Sequence, residues 1–154
     1  MTLPVAIPGR AEYALEHLML DVNGTLTDRG VLLDGVGARI DRLRPAVTVH
    51  LVSADTFGTV EEIATGLGVS FARARSGADK LRRLQALGAE RCAVVGNGAN
   101  DELVLAAAAL GIAVIGPEGA SARTLMAADV VCASVLDALD LLLDPMALAA
   151  TLRP

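Results

Sequence analysis

The chain has 154 residues, of which 53% are hydrophobic and only 2% aromatic, and its formal net charge is −5. That length fits one domain with one substantial core, which must be packed from Leu, Val, Ile and Ala rather than from rings. An acidic balance without a long basic run argues against nonspecific nucleic-acid binding, and no window offers the ~20 uninterrupted apolar residues of a membrane span.

The N-terminal stretch MTLPVAIPGR lacks a charged region followed by a long apolar run, so it is not read as a secretion signal, and a cytoplasmic protein is expected. Short apolar runs then alternate with helical patterns. In chain order these are a strand over 17–22, a helix over 36–44, a strand over 47–53, a helix over 57–66, a strand over 69–72 and a helix over 77–87. A strand over 91–96, a helix over 100–109, a strand over 112–116, a helix over 121–127, a strand over 129–133 and a helix over 135–143 follow. Several strands lack polar alternation, as parallel strands covered on both faces do. Gly68, Gly88 and Gly111 each follow a helix-like run, where a left-handed cap would suit them. The rhythm predicts an α/β fold, a doubly wound parallel sheet forming a single domain over 1–154.

Cys92 and Cys132 sit in apolar strand-like runs without CxxC spacing, which fits two buried free thiols in a reducing compartment. The arginines of the basic group Arg73, Arg75, Lys80, Arg82 and Arg83 read as a solvated helix face, and His17 and His50, beside strands, as structural. Ligands of doubly wound sheets bind beyond the carboxyl ends of the strands. Asp21, Ser53 and Gly96-Asn97 each end a predicted strand, and Lys80 lies in the helix after another, so these residues are expected to converge on one rim.

Four segments carry chemistry: DVNGTLTD (21–28), LVSAD (51–55), Lys80 and GNGANDELVL (96–105). In this order they resemble the four motifs of the haloacid dehalogenase superfamily of phosphohydrolases, over nearly the whole chain. The resemblance implies a Rossmann-like core and an Asp21 carboxylate that attacks phosphorus to give an aspartyl-phosphate, later cleaved by water. It implies catalytic roles for Asp21, Asn23, Ser53 and Lys80. A phosphate site would comprise Asn23, Gly24, Ser53, Ala54, Lys80 and Asn100. Mg2+ would be held by Asp21, the carbonyl of Asn23 and the side chain of Asn97, with Asp101 orienting metal-bound water.

Two departures from the superfamily pattern matter. Residue 23 is ordinarily an aspartate that protonates the leaving group and then activates water, a role worth about 10²–10⁴ in rate; Asn23 cannot move that proton. Asn97 also stands where the metal ordinarily meets an aspartate, so metal affinity should fall. The remaining motif positions, Asp21, Gly24, Thr25, Ser53, Lys80, Asn100 and Asp101, are intact. This combination resembles the phosphorylation domain of P-type ATPases, whose first motif also lacks the second acidic residue, and more closely the family called soluble P-type ATPases. The absence of a membrane-length segment and of room for a nucleotide-binding domain argues against ion pumping.

Spacing between the motifs leaves room for a short flap at about 25–35 but not for a cap domain. A capless protein must exclude water by other means, and a homo-oligomer acting on a phosphorylated small molecule is expected, with the apolar tail DPMALAATL as another contact surface. The function expected is a Mg2+-dependent phosphohydrolase with attenuated turnover. Its alternatives are a noncatalytic phosphate-binding or regulatory protein on the same fold and an interaction partner switched by phosphorylation of Asp21.

Overall fold

A computed structural model describes all of residues 1–154. The chain opens with an antiparallel hairpin of β1 (Leu3–Ile7) and β2 (Ala11–Leu15). It turns at Pro8-Gly9, where the Arg10 N–H donates to the Ile7 carbonyl at 3.0 Å. This hairpin is not among the elements expected from the sequence. Its signal is the Pro-Gly pair, which suits the two central positions of a tight turn.

There follow β3 (His17–Leu20), the two-residue strands β4 (Thr27–Asp28) and β5 (Val31–Leu32), α1 (Val36–Leu43), β6 (Thr48–Ser53), α2 (Val60–Leu67), β7 (Ser70–Arg73) and α3 (Gly77–Leu87). The second half contains β8 (Cys92–Gly96), α4 (Glu102–Ala107), β9 (Leu110–Val114), α5 (Ala122–Ala127), β10 (Val130–Cys132), α6 (Val135–Leu143) and α7 (Pro145–Leu152). Six strands form one sheet in the order β10-β9-β8-β3-β6-β7, with every neighbouring pair parallel. The fold is therefore the expected doubly wound α/β sheet. β3 is its pivot, because the chain winds outward through β6 and β7 on one side and through β8, β9 and β10 on the other. The carboxyl ends of β3, β6 and β8 frame the switch point, where such sheets bind ligands.

Alternation within β3 divides the core. Leu18 and Leu20 enter a large cluster with Ile40, Leu51, Val95, Ile112 and Leu139, under α1 and α6. Met19 enters a smaller one on the other face with Val52, Leu84, Val94 and Val104, under α3 and α4. All five residues of β8 and of β9 are buried, the pattern of strands covered on both faces. Each fully buried Val, Leu or Ile contributes about 1.5–3 kcal/mol on burial, so the aliphatic core supports the sheet without aromatic help.

One local expectation is corrected. Gly111 does not cap a helix: α4 ends at Ala107 and Gly111 lies inside β9. Glycine is needed there because a Cβ would sit 2.3 Å from the Leu105 carbonyl oxygen, where helix and strand approach. The tail after α6 is a helix, α7, with Pro145 in its first turn and the Asp144 side chain accepting from the Ala147 N–H at 3.2 Å. Lys80 is fully buried, whereas Arg73, Arg75 and Arg82 of the basic group are exposed.

β4 and β5 pair as a short antiparallel flap after Asp21. The Arg29 N–H at its tip donates to Glu118 at 3.0 Å, and Gly30 lies against the half-exposed Phe57. Cys92 and Cys132 are free and buried, and burial raises both thiols to about 11. No helix is long and apolar enough to cross a membrane.

Candidate active site

Asp21 follows β3 directly, and its N–H donates to the Val95 carbonyl at 3.0 Å, extending the ladder to the rim. The chain then turns sharply: the Val22 carbonyl accepts from the N–H groups of Thr25, Leu26 and Thr27 at 3.1, 2.9 and 3.2 Å. Gly24 takes φ +77°, and a Cβ there would lie 2.7 Å from the Asn97 amide nitrogen. Glycine satisfies both the left-handed backbone and the close approach. The turn returns Thr25 beneath Asp21, so that its hydroxyl contacts Asp21 Oδ2 at 2.9 Å.

Lys80 arrives from α3, whose start is fixed by Ser76 accepting from the Asp79 N–H at 3.1 Å. Its Nζ bonds Asp21 Oδ1 at 2.8 Å and Asp101 Oδ1 at 2.6 Å. The other Asp101 oxygen accepts from the N–H groups of Asn97 and Gly98, both at 3.1 Å. Gly96 makes room for this carboxylate, since a Cβ at 96 would sit 2.4 Å from Asp101 Cγ. Asp101 is thus committed to Lys80 and the backbone, and it holds the lysine that faces Asp21.

Burial, reinforced by the nearby Asp101 charge, pushes the Asp21 carboxyl up to about 6, with Lys80 and Thr25 partly offsetting the rise. For Lys80 burial disfavours the ammonium, but the two carboxylates outweigh it and its pKa is raised. The lysine remains charged, and the three side chains carry one net negative charge when Asp21 is ionised.

The donor set around Asp21 fits a hard divalent cation. Asn97 Nδ2 donates to the Gly119 carbonyl at 2.9 Å, which turns Oδ1 toward Thr25 at 3.1 Å. The Thr25 hydroxyl has one proton and two acceptors, Asp21 Oδ2 and Asn97 Oδ1. The single proton satisfies only one of them at a time, which leaves acceptor capacity on Asp21 and Asn97 for a cation. Asp21 and Asn97 are the side chains that would hold Mg2+, whose preference is for oxygen ligands with retained waters. A single ionised carboxylate makes this a weaker site than one with two.

Ser53 ends β6, and its Oγ accepts from the Asp55 N–H at 3.0 Å and from Asn23 Nδ2 at 3.4 Å. That contact joins the turn after Asp21 to the end of β6, and Gly24 and Ala54 adjoin it in the chain. Asn100 lies in the short 3-10 turn Ala99–Asp101, half-buried, with its side chain beside Gly98. Asp21, Lys80, Asn97 and Asp101 are linked by the contacts above, and Asn23 and Ser53 form a second pair joined to them through the turn after Asp21.

Thr25 and Asp55 have roles that sequence reasoning did not assign. Thr25 bridges Asp21 and Asn97, and its place in DVNGTLTD was the available signal. Asp55 takes a left-handed φ of +58° and bonds the Val60 N–H and Arg73 at 3.1 and 3.3 Å. No sequence signal marked its link to Arg73, which depends on β6 and β7 pairing so that Ser53 lies beside Arg73. His17 Nδ1 and His50 Nε2 pair at 3.1 Å toward the opposite end of these strands, away from this chemistry.

The surface recesses of the fold are lined by the N-terminal hairpin, by α7, and by the starts of β6 and β7. None includes Asp21, Ser53, Lys80 or Asn97, all four of which are buried.

No family model matches the chain. Its fold matches phosphatases of the haloacid dehalogenase superfamily. The cobalt-bound deoxy-D-mannose-octulosonate 8-phosphate phosphatase of Haemophilus influenzae superposes with a TM-score of 0.70 at 19% identity, over 88% of this chain and 91% of that one. The 3-deoxy-D-manno-octulosonate 8-phosphate phosphatase of Moraxella catarrhalis, in complex with magnesium, phosphate and the sugar acid, gives 0.65 at 20% identity over 90% and 94%. A zinc-transporting P-type ATPase in its E2.Pi state matches at 28% identity and a TM-score of 0.63, over 79% of this chain and 20% of that one. The chain has the core fold of that superfamily. It belongs to the same family as the uncharacterized protein MJ0073 of Methanocaldococcus jannaschii, with which it is 42% identical over 88 residues, 53% of this chain and 95% of that protein.

Proposed function

We propose that this protein is a Mg2+-dependent phosphohydrolase that works through an aspartyl-phosphate on Asp21, with turnover slowed by Asn23. The observation that carries this reading is the Lys80 ammonium, buried and bonded at once to Asp21 and Asp101 at 2.8 and 2.6 Å. A lysine held there lowers the repulsion between an attacking carboxylate and an incoming phosphoryl group.

An Asp21 oxygen attacks phosphorus in line, the new P–O bond forms, and the bond to the leaving oxygen breaks. Ser53 and Lys80 hold phosphoryl oxygens, with Gly24, Ala54 and Asn100 around them. Mg2+, when bound by Asp21 and Asn97, supplies charge neutralisation for the phosphoryl group. The leaving oxygen takes its proton from solvent, because the Asn23 amide has none to give at neutral pH. Water then attacks the aspartyl-phosphate, releasing phosphate and restoring Asp21, without help from a carboxylate at 23. Formation of the intermediate is therefore favoured for good leaving groups, and its decay is slow.

The 28% identity to the zinc-transporting ATPase supports a relationship to the phosphorylation domain of P-type ATPases. The short flap, with the exposed Phe57 beside it, supports a capless protein that acts on a phosphorylated small molecule and pairs with a second copy of the chain.

The test is Mg2+-dependent phosphate release from a panel of phosphorylated metabolites and acetyl phosphate, with Asp21→Asn as control. Low, Asp21-dependent release supports the enzyme. Phosphate binding without turnover or adduct turns the assignment to a phosphate-binding regulatory protein.

A further inference from the structure

We propose that Asn23 is a positioning residue for Ser53: together with the Asp55 N–H it fills the acceptor side of the Ser53 hydroxyl and commits its one proton to an oxygen of a bound phosphoryl group. The inference rests on the phosphoryl-site reading above and assigns Asn23 a task within it.

A serine hydroxyl has one proton to give and two lone pairs to receive. Both directions of approach to Ser53 Oγ are taken by donors, the Asp55 N–H at 3.0 Å and Asn23 Nδ2 at 3.4 Å. Neither can accept in return. The hydroxyl proton has no acceptor in the protein, and Ser53 is only 1% exposed.

The donors are themselves held. Asp55 adopts φ +58°, a conformation acidic and amide side chains tolerate better than most. Its carboxylate accepts from the Val60 N–H at the start of α2 and from Arg73 at the end of β7. These two anchors fix where its own N–H points. Asn23 gives its amide N–H to Ser53 although its Oδ1 is left buried with no donor. A buried acceptor left unsatisfied is unfavourable, and in native structures it calls for a local reason. Presenting the serine as a donor is such a reason.

The consequence is a difference in kind between asparagine and aspartate at this position. A carboxylate at 23 has only acceptors to offer, so it would draw the Ser53 proton to itself and turn hydroxyl lone pairs toward the phosphoryl oxygens. Asparagine favours holding an acceptor-only tetrahedral oxyanion, and aspartate favours moving a proton.

Calorimetric titration with inorganic phosphate at saturating Mg2+ tests this in the full chain, across Asn23→Ala, Asn23→Asp, Ser53→Ala and the combined variants. A hydrogen bond of ordinary net strength corresponds to a loss of about 3–10-fold in affinity for Asn23→Ala. In the Ser53→Ala background the same change should cost nothing, and in a Ser53→Thr background, which keeps the hydroxyl, the loss should return. Asn23→Asp adds charge as well, so its effect is read in both backgrounds. The excess loss with Ser53 present is the reversed hydrogen bond. Losses that simply multiply, or an Asn23→Asp protein binding phosphate as tightly as wild type, overturn the proposal alone. Wild type that binds no phosphate overturns the phosphoryl-site reading and this proposal with it.

Discussion

Lys80 and Asp101, 21 positions apart, meet at 2.6 Å where each side chain is only 1% exposed. Asp21 completes the group at 2.8 Å. Removing one partner of a buried ion pair strands the other charge and typically costs about 3–5 kcal/mol. Lys80→Met should therefore destabilise the metal-free protein by that order in urea denaturation at pH 7. Adding Asp101→Asn should recover part of the loss by removing one of the two stranded carboxylates. An unchanged urea midpoint would mean that the lysine is not the partner of both acids.

Replacing Asn97 by aspartate should move two measurements in opposite directions. A second carboxylate beside Asp21 raises ligand charge, and Mg2+ affinity by calorimetry should tighten on the order of ten-fold. The same change removes the N–H that Asn97 donates to the Gly119 carbonyl at 2.9 Å. Metal-free stability should then fall by about 1–3 kcal/mol, the cost of an unsatisfied buried group. Weaker Mg2+ binding would count against Asn97 as a ligand.

The His17–His50 pair gives the protein an acid-labile contact unrelated to phosphate. Burial, then the proximity of His17 and Arg83, lowers His50 from 6.5 to about 4. Its neutral ring hydrogen-bonds His17 and Ser70, both at 3.1 Å. The unfolded chain takes up a proton here before the folded one does, so the contribution of His50 is fully present above 6.5 and is lost as pH falls through 4. The amount, discounted for solvent screening, is about 1–3 kcal/mol. Denaturation of wild type and His50→Gln at pH 7, 5.5 and 4 should show the variant losing less stability on acidification. Parallel losses would show that the acid sensitivity lies elsewhere.

Much of this arrangement is legible in the chain because strand ends and motif residues coincide. Asp21, Ser53 and Gly96 close apolar runs that must be strands, and a doubly wound sheet carries such ends to one edge. What the chain conceals depends on tertiary approach. Gly111 looks like a cap until the Leu105 carbonyl is seen 2.3 Å from its missing Cβ. Lys80 is marked only by its place between the motifs, on a helix that also carries Arg82 and Arg83, and the packing of α3 on the sheet is what buries it. The N-terminal hairpin escapes notice because its two strands pair with each other and add nothing to the β-α rhythm. The Asp55–Arg73 link joins two strands whose register no local pattern states.

Asn23→Asp should separate the two steps of the reaction. Acetyl phosphate is a suitable donor, since its leaving group needs little protonation, and Asp21 of the wild type should accumulate label because nothing at 23 activates the second water. Aspartate at 23 restores a general base, and decay of the adduct should accelerate by up to about 10²–10⁴. The gain is offset at the binding step, because the new carboxylate repels phosphate and takes the Ser53 proton that Asn23 leaves free at 3.4 Å. Faster decay together with weaker phosphate affinity is the expected signature, resolved by rapid-quench measurement of labelled protein beside calorimetry. Asn23 and Asn97 each precede glycine, a context open to deamidation, so the intact mass must first show that neither has become aspartate. If wild type forms no Asp21 adduct and Asn23→Asp stays inert with every donor, the aspartyl-phosphate mechanism is wrong, and retained phosphate binding would then define the protein.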